Sequence, residues 1–436
     1  MYDSAIFLLN YFKNTLAILT GSLYRPARNL ITAMVLLLVL VFLWAVYRRG
    51  VSGSLRLAAS GVSLFATLPI VLTASYFMLD SVPRSGGRDD PAGRLVVALV
   101  FDELDEDMID ANIASLPNFA SLKARSLNAT QMYPPANYTS ESLPGMITGE
   151  FFSDVHYSKS EVYVRPPGQS RWHALSESTG LFSEAARVGA RVAIIGWHLP
   201  YCKLFRSARS CWDDVAFQSP GSSVSLTTWL MGHSNIIRWF EARSLEEKQG
   251  RIKEYSREFL NLSQMYKVQR VGQIFSEQKR RLISTLQARD TELVFAHLAC
   301  PHPPALDEIV SRQLDMFEAY LLNLRVCDEL LGRVVDILST AKFDRGWTLI
   351  VTSDHWFRGR DWLETGRPNS MPMMRRPVPF YVASSNEISE ETFEKTANLR
   401  SLPKVIVGAL DSDFSRQRVK DTLSDDGDSQ TLLRPY

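Results

Sequence analysis

The sequence is short of net charge, cysteine and histidine, and each scarcity narrows what the chain can be. Its 48 basic residues against 47 acidic ones leave a formal net charge of +1, which gives no global reason to expect nucleic acid or a strongly acidic partner. Only four cysteines occur, and Cys202, Cys211, Cys300 and Cys327 lack the close spacing of a zinc knuckle. Cys202 and Cys211 are near enough in sequence for a small disulfide loop in an oxidising compartment. Four cysteines allow three full pairings, however, and four buried thiols are the alternative. A basic n-region is missing and the apolar segments are too long for a secretory signal peptide. Low-complexity tracts are absent too. What is present, in 436 residues, is length for one large α/β domain plus an anchor.

Apolar residues are densest before residue 80. Residues 31–47 carry no charge and at about 1.5 Å per residue span most of a hydrocarbon core of about 30 Å. Residues 57–79 repeat the pattern, with Pro69 as an interruption that a membrane helix accommodates. A weaker stretch at 4–24, broken by Asn10 and Lys13, reads equally as an interfacial helix or a third span. Arg48, Arg49 and Arg56 crowd the link between the two strong spans and predict that it is cytoplasmic, although Arg25 and Arg28 pull the other way. The expectation is therefore a multi-pass anchor over 1–80 in the inner (plasma) membrane, a polar linker over 81–94, and an extracytoplasmic, periplasmic domain over 95–413. A mobile tail is expected over 414–436, where Asp421, Asp425, Asp426 and Asp428 lie among Ser and Gly.

Leu95–Phe101 is a continuous valine-rich run of the kind found in buried parallel strands. Shorter runs of this kind recur at 191–196, 293–297, 347–352 and 378–383. Helical patterns lie between them at 181–188, around 245–288 and at 307–338. Alternation of this sort predicts an α/β fold, a mixed and mainly parallel sheet with helices on both faces. Ligands of such sheets bind beyond the carboxyl ends of the strands. Two strand ends carry the right chemistry: the first runs into Asp102-Glu103, and a late one into Ser353-Asp354-His355. Carboxylate oxygen and imidazole nitrogen together suit a divalent cation. Taken singly, a strand-end Asp is more often the cap of a following helix.

Between them lies Ala136-Asn137-Tyr138-Thr139-Ser140-Glu141-Ser142-Leu143-Pro144-Gly145-Met146-Ile147-Thr148-Gly149. This segment resembles the alkaline phosphatase and sulfatase superfamily, in which a nucleophile precedes a helix ending in a Thr-Gly pair. Leu95–Leu104 is similar to the family's first metal-binding strand, and Leu116-Pro117-Asn118-Phe119 with Leu122 to the segment after it. Ser353-Asp354-His355 and the later Pro377-Val378-Pro379-Phe380 resemble its late metal motif and following strand. The resemblance implies an alkaline-phosphatase-like fold and an enzyme, with Asp102, Asp354 and His355 as metal ligands and Thr139 as both nucleophile and ligand. Glu103 is a lesser ligand candidate, and Ser140 is the alternative nucleophile. One divalent metal is implied, zinc first, with manganese, magnesium or calcium as alternatives.

Two departures narrow the implied activity. Formylglycine sulfatases need Cys or Ser at the nucleophile position, with Pro two residues on and Arg four residues on. Here those positions hold Thr139, Glu141 and Leu143. Second, no histidine follows His355, which points away from two-zinc enzymes. The site logic is most similar to the membrane phosphoethanolamine and phosphoglycerol transferases. The expected reaction is then transfer of a phospho-alcohol from a membrane lipid to a glycan or lipid acceptor; a metal-dependent phosphodiesterase or phosphatase is the alternative, and a non-catalytic scaffold a third. His302, between two prolines, is a candidate acid/base or phosphate contact. His297, His198 and Arg358 are candidate substrate contacts, with Arg360 beside the last. Asp328 reads either as a buttress of the metal shell or as a satisfied helix-surface carboxylate.

Overall fold

Leu95–Asp102, apolar until its final residue and buried throughout, forms the central strand β1. The computed structural model describes residues 94–158, 161–176, 180–214, 271–303, 306, 314–340, 346–359, 376–411 and 414–425. These all lie in one of the two compact units into which the chain divides, Gly86–Val215 with Phe259–Tyr436.

Seven further strands complete the main sheet: β2 (Leu127–Ala129), β3 (Val192–Trp197), β4 (Ser210–Asp214), β5 (Leu293–Pro301), β6 (Trp347–Ser353), β7 (Phe380–Ser384) and β8 (Glu391–Phe393). Their order is β8-β2-β7-β6-β1-β5-β3-β4. Strands β6, β1, β5, β3 and β4 run parallel, whereas β7 is antiparallel to both β6 and β2. The mixed, mainly parallel sheet expected from the apolar runs is therefore present.

Because side chains alternate across a strand, β1 feeds two cores. Val96, Ala98 and Val100 join Leu143, Met146 and Phe182 on one face. Leu95, Val97, Leu99 and Phe101 join Phe119, Leu324 and Leu331 on the other. Each Val, Leu, Met and Phe among them contributes about 1.5–3 kcal/mol on burial. That covers both faces and fixes which way each strand end points.

The helices that matter to the site are α1 (Glu106–Asn112), α2 (Pro117–Lys123), α3 (Thr139–Thr148) and α4 (Leu181–Arg187), followed late in the chain by α5 (Met316–Thr340) and α6 (Leu402–Ala409). Residues 271–288 are also helical. Helix α3 starts after Tyr138, which is extended at φ −130° and ψ 144°, and stops at Gly149, whose φ of 78° is the left-handed cap that glycine adopts without strain. Inside α3, Pro144 has no N–H to offer the Ser140 carbonyl. Tyr157, on the hairpin strand Asp154–Ser158, donates its hydroxyl hydrogen to that carbonyl at 2.7 Å instead.

Several expectations need correcting. Among the described residues no helix is long and apolar enough to cross a membrane. The spans expected at 31–47 and 57–79, and the helix at 4–24, lie outside the described residues. The fold class that the described residues show is an α/β sheet domain, with no transmembrane helix among them. The inner-membrane, periplasmic placement and the membrane-lipid partner rested on that anchor, and no described helix supports them. The tail also differs: Arg416–Asp425 form a helix whose Val419 and Leu423 are buried in the core, so apolar spacing outweighed the acidic composition there.

Both cysteine pairs are disulfides, Cys202–Cys211 and Cys300–Cys327. The short loop was anticipated as one alternative. The second bond ties the end of β5 to α5 across a sequence separation of 27.

Candidate metal and nucleophile site

The parallel pairing of β1 with β6 sets Phe101 opposite Ser353. Both chains then leave the sheet at the same end, and the Asp354 N–H donates to the Phe101 carbonyl at 3.1 Å. Asp102 and Asp354 are brought together by register alone. The turn after β1 is fixed by three further bonds. Glu103 donates its N–H to Asp354 Oδ1 at 3.1 Å, Leu104 donates to Ser353 Oγ at 2.8 Å, and the Tyr320 hydroxyl of α5 donates to the Glu103 carbonyl at 2.9 Å. Glu103 sits at φ 65°, a left-handed conformation that costs a side-chain-bearing residue strain and is found mainly where function demands it.

Asp354 Oδ1 also accepts the His355 N–H at 2.8 Å, which leaves Oδ2 buried and without a hydrogen-bond partner. The His355 ring donates Nδ1–H to the Trp356 carbonyl at 2.9 Å. A carbonyl can only accept, so the Nε2 lone pair faces inward. Around that lone pair stand Thr139 Oγ1 at 3.1 Å, Asp354 Oδ2 at 3.6 Å and Asp102 Oδ1 at 3.7 Å. Thr139 is the first residue of α3, and its Oγ1 is also 3.5 Å from Asp102 Oδ1. Ser142, one turn on, donates to the Asp354 carbonyl at 2.6 Å and locks the helix against the strand end.

The electrostatics of this cluster are those of a cation site. Burial pushes the Asp102 carboxyl well above its usual range, and the charges of Asp354 and Glu103 push the same way, against Arg358 and Thr139. Burial likewise drives His355 down to about 3, so the ring is neutral and its lone pair available. Asp102, Asp354 and His355 offer ligand atoms within 4.8 Å of one another, all three buried. Donors around a tetrahedral ion held at about 2.0 Å stand about 3.3 Å apart, close to the spacings seen here. Two carboxylates, a neutral imidazole, a hydroxyl and an unpartnered buried Asp354 Oδ2 fit a divalent cation.

The remaining sequence-predicted residues surround this centre. Glu103 is not one of the three clustered ligand residues, and its carboxylate pairs with Arg358, Oε1 to Nη2 at 2.8 Å. The Arg358 guanidinium also lies over the Tyr138 ring, 4.8 Å from its centroid, so the cation is fixed beside the start of α3. Arg360 is outside the described residues. His198, at φ 69°, follows β3, and burial lowers it to about 4, with the nearby charge of Asp354 acting against that shift. His302 is half-buried, its ring centroid 6.4 Å from that of Trp197, and its backbone carbonyl accepts from Asn323 Nδ2 at 3.1 Å. Its Nδ1 also contacts the Pro303 carbonyl. His297 is fully buried, with Nδ1 bonded to the Trp197 carbonyl and Nε2 3.9 Å from Asp354 Oδ2. Asp328 is buried and caps α2 by accepting the Asn118 and Phe119 N–H groups at 3.0 and 2.8 Å, so it is satisfied but is not the helix-surface carboxylate expected.

Two tyrosines escaped the sequence reading: Tyr138 carries the Arg358 contact and Tyr157 repairs α3. Tyr201, in the 197–201 segment expected to line a substrate pocket, packs its ring against His297, centroid to centroid at 6.3 Å. Only Tyr157 had a sequence signal, namely the carbonyl that Pro144 was bound to leave open.

Comparison with known proteins gives one broad result. The profile of the family described as Sulfatase matches residues 94–411. Among solved structures, a phosphonate monoester hydrolase from Silicibacter pomeroyi is 13% identical, with 77% of this chain and 78% of that one covered and a TM-score of 0.48. The PsFucS1 sulfatase from a Pseudoalteromonas species is 14% identical over 77% of this chain and 72% of its own, with a TM-score of 0.46. A protein in the alkaline phosphatase superfamily from Vibrio parahaemolyticus is 13% identical over 74% and 67%, with a TM-score of 0.41. No curated protein matches the chain in sequence. The profile match concerns the family as a whole; the narrower likeness to membrane phosphoethanolamine and phosphoglycerol transferases has no support from it and is set aside.

Proposed function

The chain belongs to the sulfatase family, and on that premise we propose that it is a metal-dependent hydrolase of phosphate esters, a phosphodiesterase or phosphomonoesterase with Thr139 as nucleophile. This replaces the expected lipid-fed transfer: no described helix crosses a membrane, and the family match and metal cluster support a hydrolase without pointing to a transferase. One observation carries the reading, the 3.1 Å approach of Thr139 Oγ1 to His355 Nε2 beside two buried carboxylates at a helix N-terminus.

Asp102, Asp354 and His355 would hold the cation, with Thr139 completing the set. When bound, a divalent cation supplies Lewis acidity and lowers the cost of a Thr139 alkoxide. Zinc suits the imidazole and carboxylate donors best; manganese, magnesium and calcium are the alternatives. The chain's own groups supply the rest. Thr139 gives its hydroxyl proton to solvent and attacks phosphorus as the bond from phosphorus to the ester oxygen breaks. That oxygen takes a proton and leaves as the alcohol, and water later cleaves the threonine ester and restores the hydroxyl. The Glu141 and Ser142 N–H groups donate to the Tyr138 carbonyl, which leaves those of Thr139 and Ser140, the first two of α3, without an acceptor in the helix and favouring an anion there. Arg358, fixed by Glu103, is placed to offer charged donors to ester oxygens. His302, just beyond β5, is the imidazole we assign to protonating a leaving oxygen, whereas His198, lowered to about 4 by burial, stays neutral and would contact substrate.

Phosphate is preferred over sulfate because Glu141 and Leu143 stand where formylglycine sulfatases need Pro and Arg. Parallel assays on aryl phosphate monoesters, aryl phosphodiesters and aryl sulfates, each with added zinc or manganese, test the proposal. Turnover of a phosphate ester with a trapped phosphothreonine at 139 is the expected result. Turnover of the sulfate alone would refute it.

A further inference from the structure

His297 has a ring nitrogen that the chemistry above does not use. Its Nδ1 lies 3.0 Å from the Trp197 carbonyl oxygen, and that acceptor places the ring proton on Nδ1. Nε2 is therefore a lone pair, and it faces Asp354 Oδ2 at 3.9 Å. Both atoms are buried without a hydrogen-bond partner. Two acceptors cannot bond each other; a hydrogen donor or a cation must stand between them.

A third unpartnered group lies beside them. The Tyr201 hydroxyl is buried and has no hydrogen-bond partner, and its ring centroid is 6.3 Å from that of His297. The ring lies so close to Gly196 that a Cβ there would come within 2.2 Å of it, so the glycine is what lets the tyrosine lie there. Each buried polar group left unsatisfied costs about 1–3 kcal/mol. Three together call for a guest with two donors and one acceptor. A buried water typically makes about three such bonds.

We infer that a buried water joins these groups, donating to His297 Nε2 and Asp354 Oδ2 and accepting from the Tyr201 hydroxyl, and that His297 is thereby a positioning residue for Asp354. The inference rests on the reading of Asp354 as a metal ligand. Oδ1 of that carboxylate is already fixed by the Glu103 and His355 N–H groups. Oδ2 has two lone pairs, so one can face a cation while the other takes the water. In this role His297 acts through Asp354, in place of the substrate contact expected from the sequence, and sets the angle of the carboxylate from behind.

The test uses His297→Asn, which keeps a donor where Nδ1 stood and deletes Nε2, and His297→Gln, which restores a polar atom near the Nε2 position. Tyr201→Phe removes only the hydroxyl. For each, zinc affinity is measured by competition with a chromophoric chelator, zinc content by elemental analysis, and folding by thermal melting of the metal-free protein. Outer partners of ligands are worth about 10–100-fold in metal affinity. His297→Asn is expected to lose that much, His297→Gln to recover most of it, and Tyr201→Phe to lose less in the same direction, with one zinc per chain throughout. Equal affinity in Asn and Gln variants, or unchanged affinity in Tyr201→Phe, overturns the inference while leaving the metal site standing. Two zinc ions per wild-type chain, lost together with His297, would make the guest a cation and overturn the water. A wild-type chain that takes up none of the four candidate cations overturns the metal-site reading and this inference with it.

Discussion

Thr139 Oγ1 and His355 Nε2 stand 3.1 Å apart although 216 positions separate them in the chain. The hydroxyl comes from a helix N-terminus and the imidazole from a strand end, so the contact exists only when α3 is packed on the sheet. Removing the hydroxyl should stop chemistry without dismantling the cation site. Thr139→Ala is expected to cut kcat by on the order of 10⁴-fold or more, as loss of a nucleophile does. Zinc content should stay near that of the native chain, and Thr139→Ser should regain measurable turnover. Activity of the alanine variant within tenfold of wild type would remove Thr139 from the nucleophile role.

Arg358 and Glu103 form a pair whose side chains are 17% and 4% exposed. Truncating one member leaves the other as a desolvated charge. Arg358→Ala is therefore expected to lower stability by about 3 kcal/mol and to raise KM for a phosphate ester. The double variant Arg358→Ala with Glu103→Gln should recover much of the stability and none of the affinity. Denaturant unfolding and steady-state kinetics separate the two effects; a double variant less stable than the single one would contradict the pairing.

Tyr157 makes the bond to Ser140 that Pro144 forgoes. Tyr157→Phe should cost about 1 kcal/mol, the net worth of one hydrogen bond. Pro144→Ala supplies an N–H four residues after Ser140, so the loss from Tyr157→Phe should shrink in that background. Strict additivity in the double-mutant cycle would show that the two donors do not serve the same carbonyl.

Acid should weaken the metal-free protein before it protonates most surface carboxylates. His198 and His297 fall to about 4 and His355 to about 3, in each case through burial first. Below about 6.5 the unfolded chain binds protons that the folded chain refuses, so their stabilising contribution is present above that pH and is lost as pH falls toward these values. Asp102 works in the opposite sense. Its raised value gives stability at low pH that is lost as pH rises through it, and a bound cation relieves that loss. Thermal melting of metal-free protein should show Tm falling between pH 7 and 4, with the zinc-induced rise in Tm largest near neutrality. A flat Tm over that range would sink the account of the buried histidines.

Much of the sheet was legible because β1, β3, β5, β6 and β7 are apolar runs of strand length, and burial on both faces leaves such runs little choice. Asp102, Thr139, Asp354 and His355 were legible for another reason: strand ends and a helix start are where an α/β sheet presents chemistry. The orientation of polar side chains was not. Whether Glu103 joins the cluster or pairs with Arg358 depends on a left-handed turn, and which face of His297 is satisfied depends on a carbonyl from β3. The helix at Arg416–Asp425 was hidden because two core contacts, Val419 and Leu423, were outvoted by the acidic residues around them.

The pairing of Phe101 with Ser353 has a consequence for quality control. A slip of one residue between β1 and β6 would send Asp354 to the opposite face of the sheet and part it from Asp102. Ligands for the cation are thus gathered only by a chain in correct register, and metal uptake becomes a report on whether the central strands have been assembled properly.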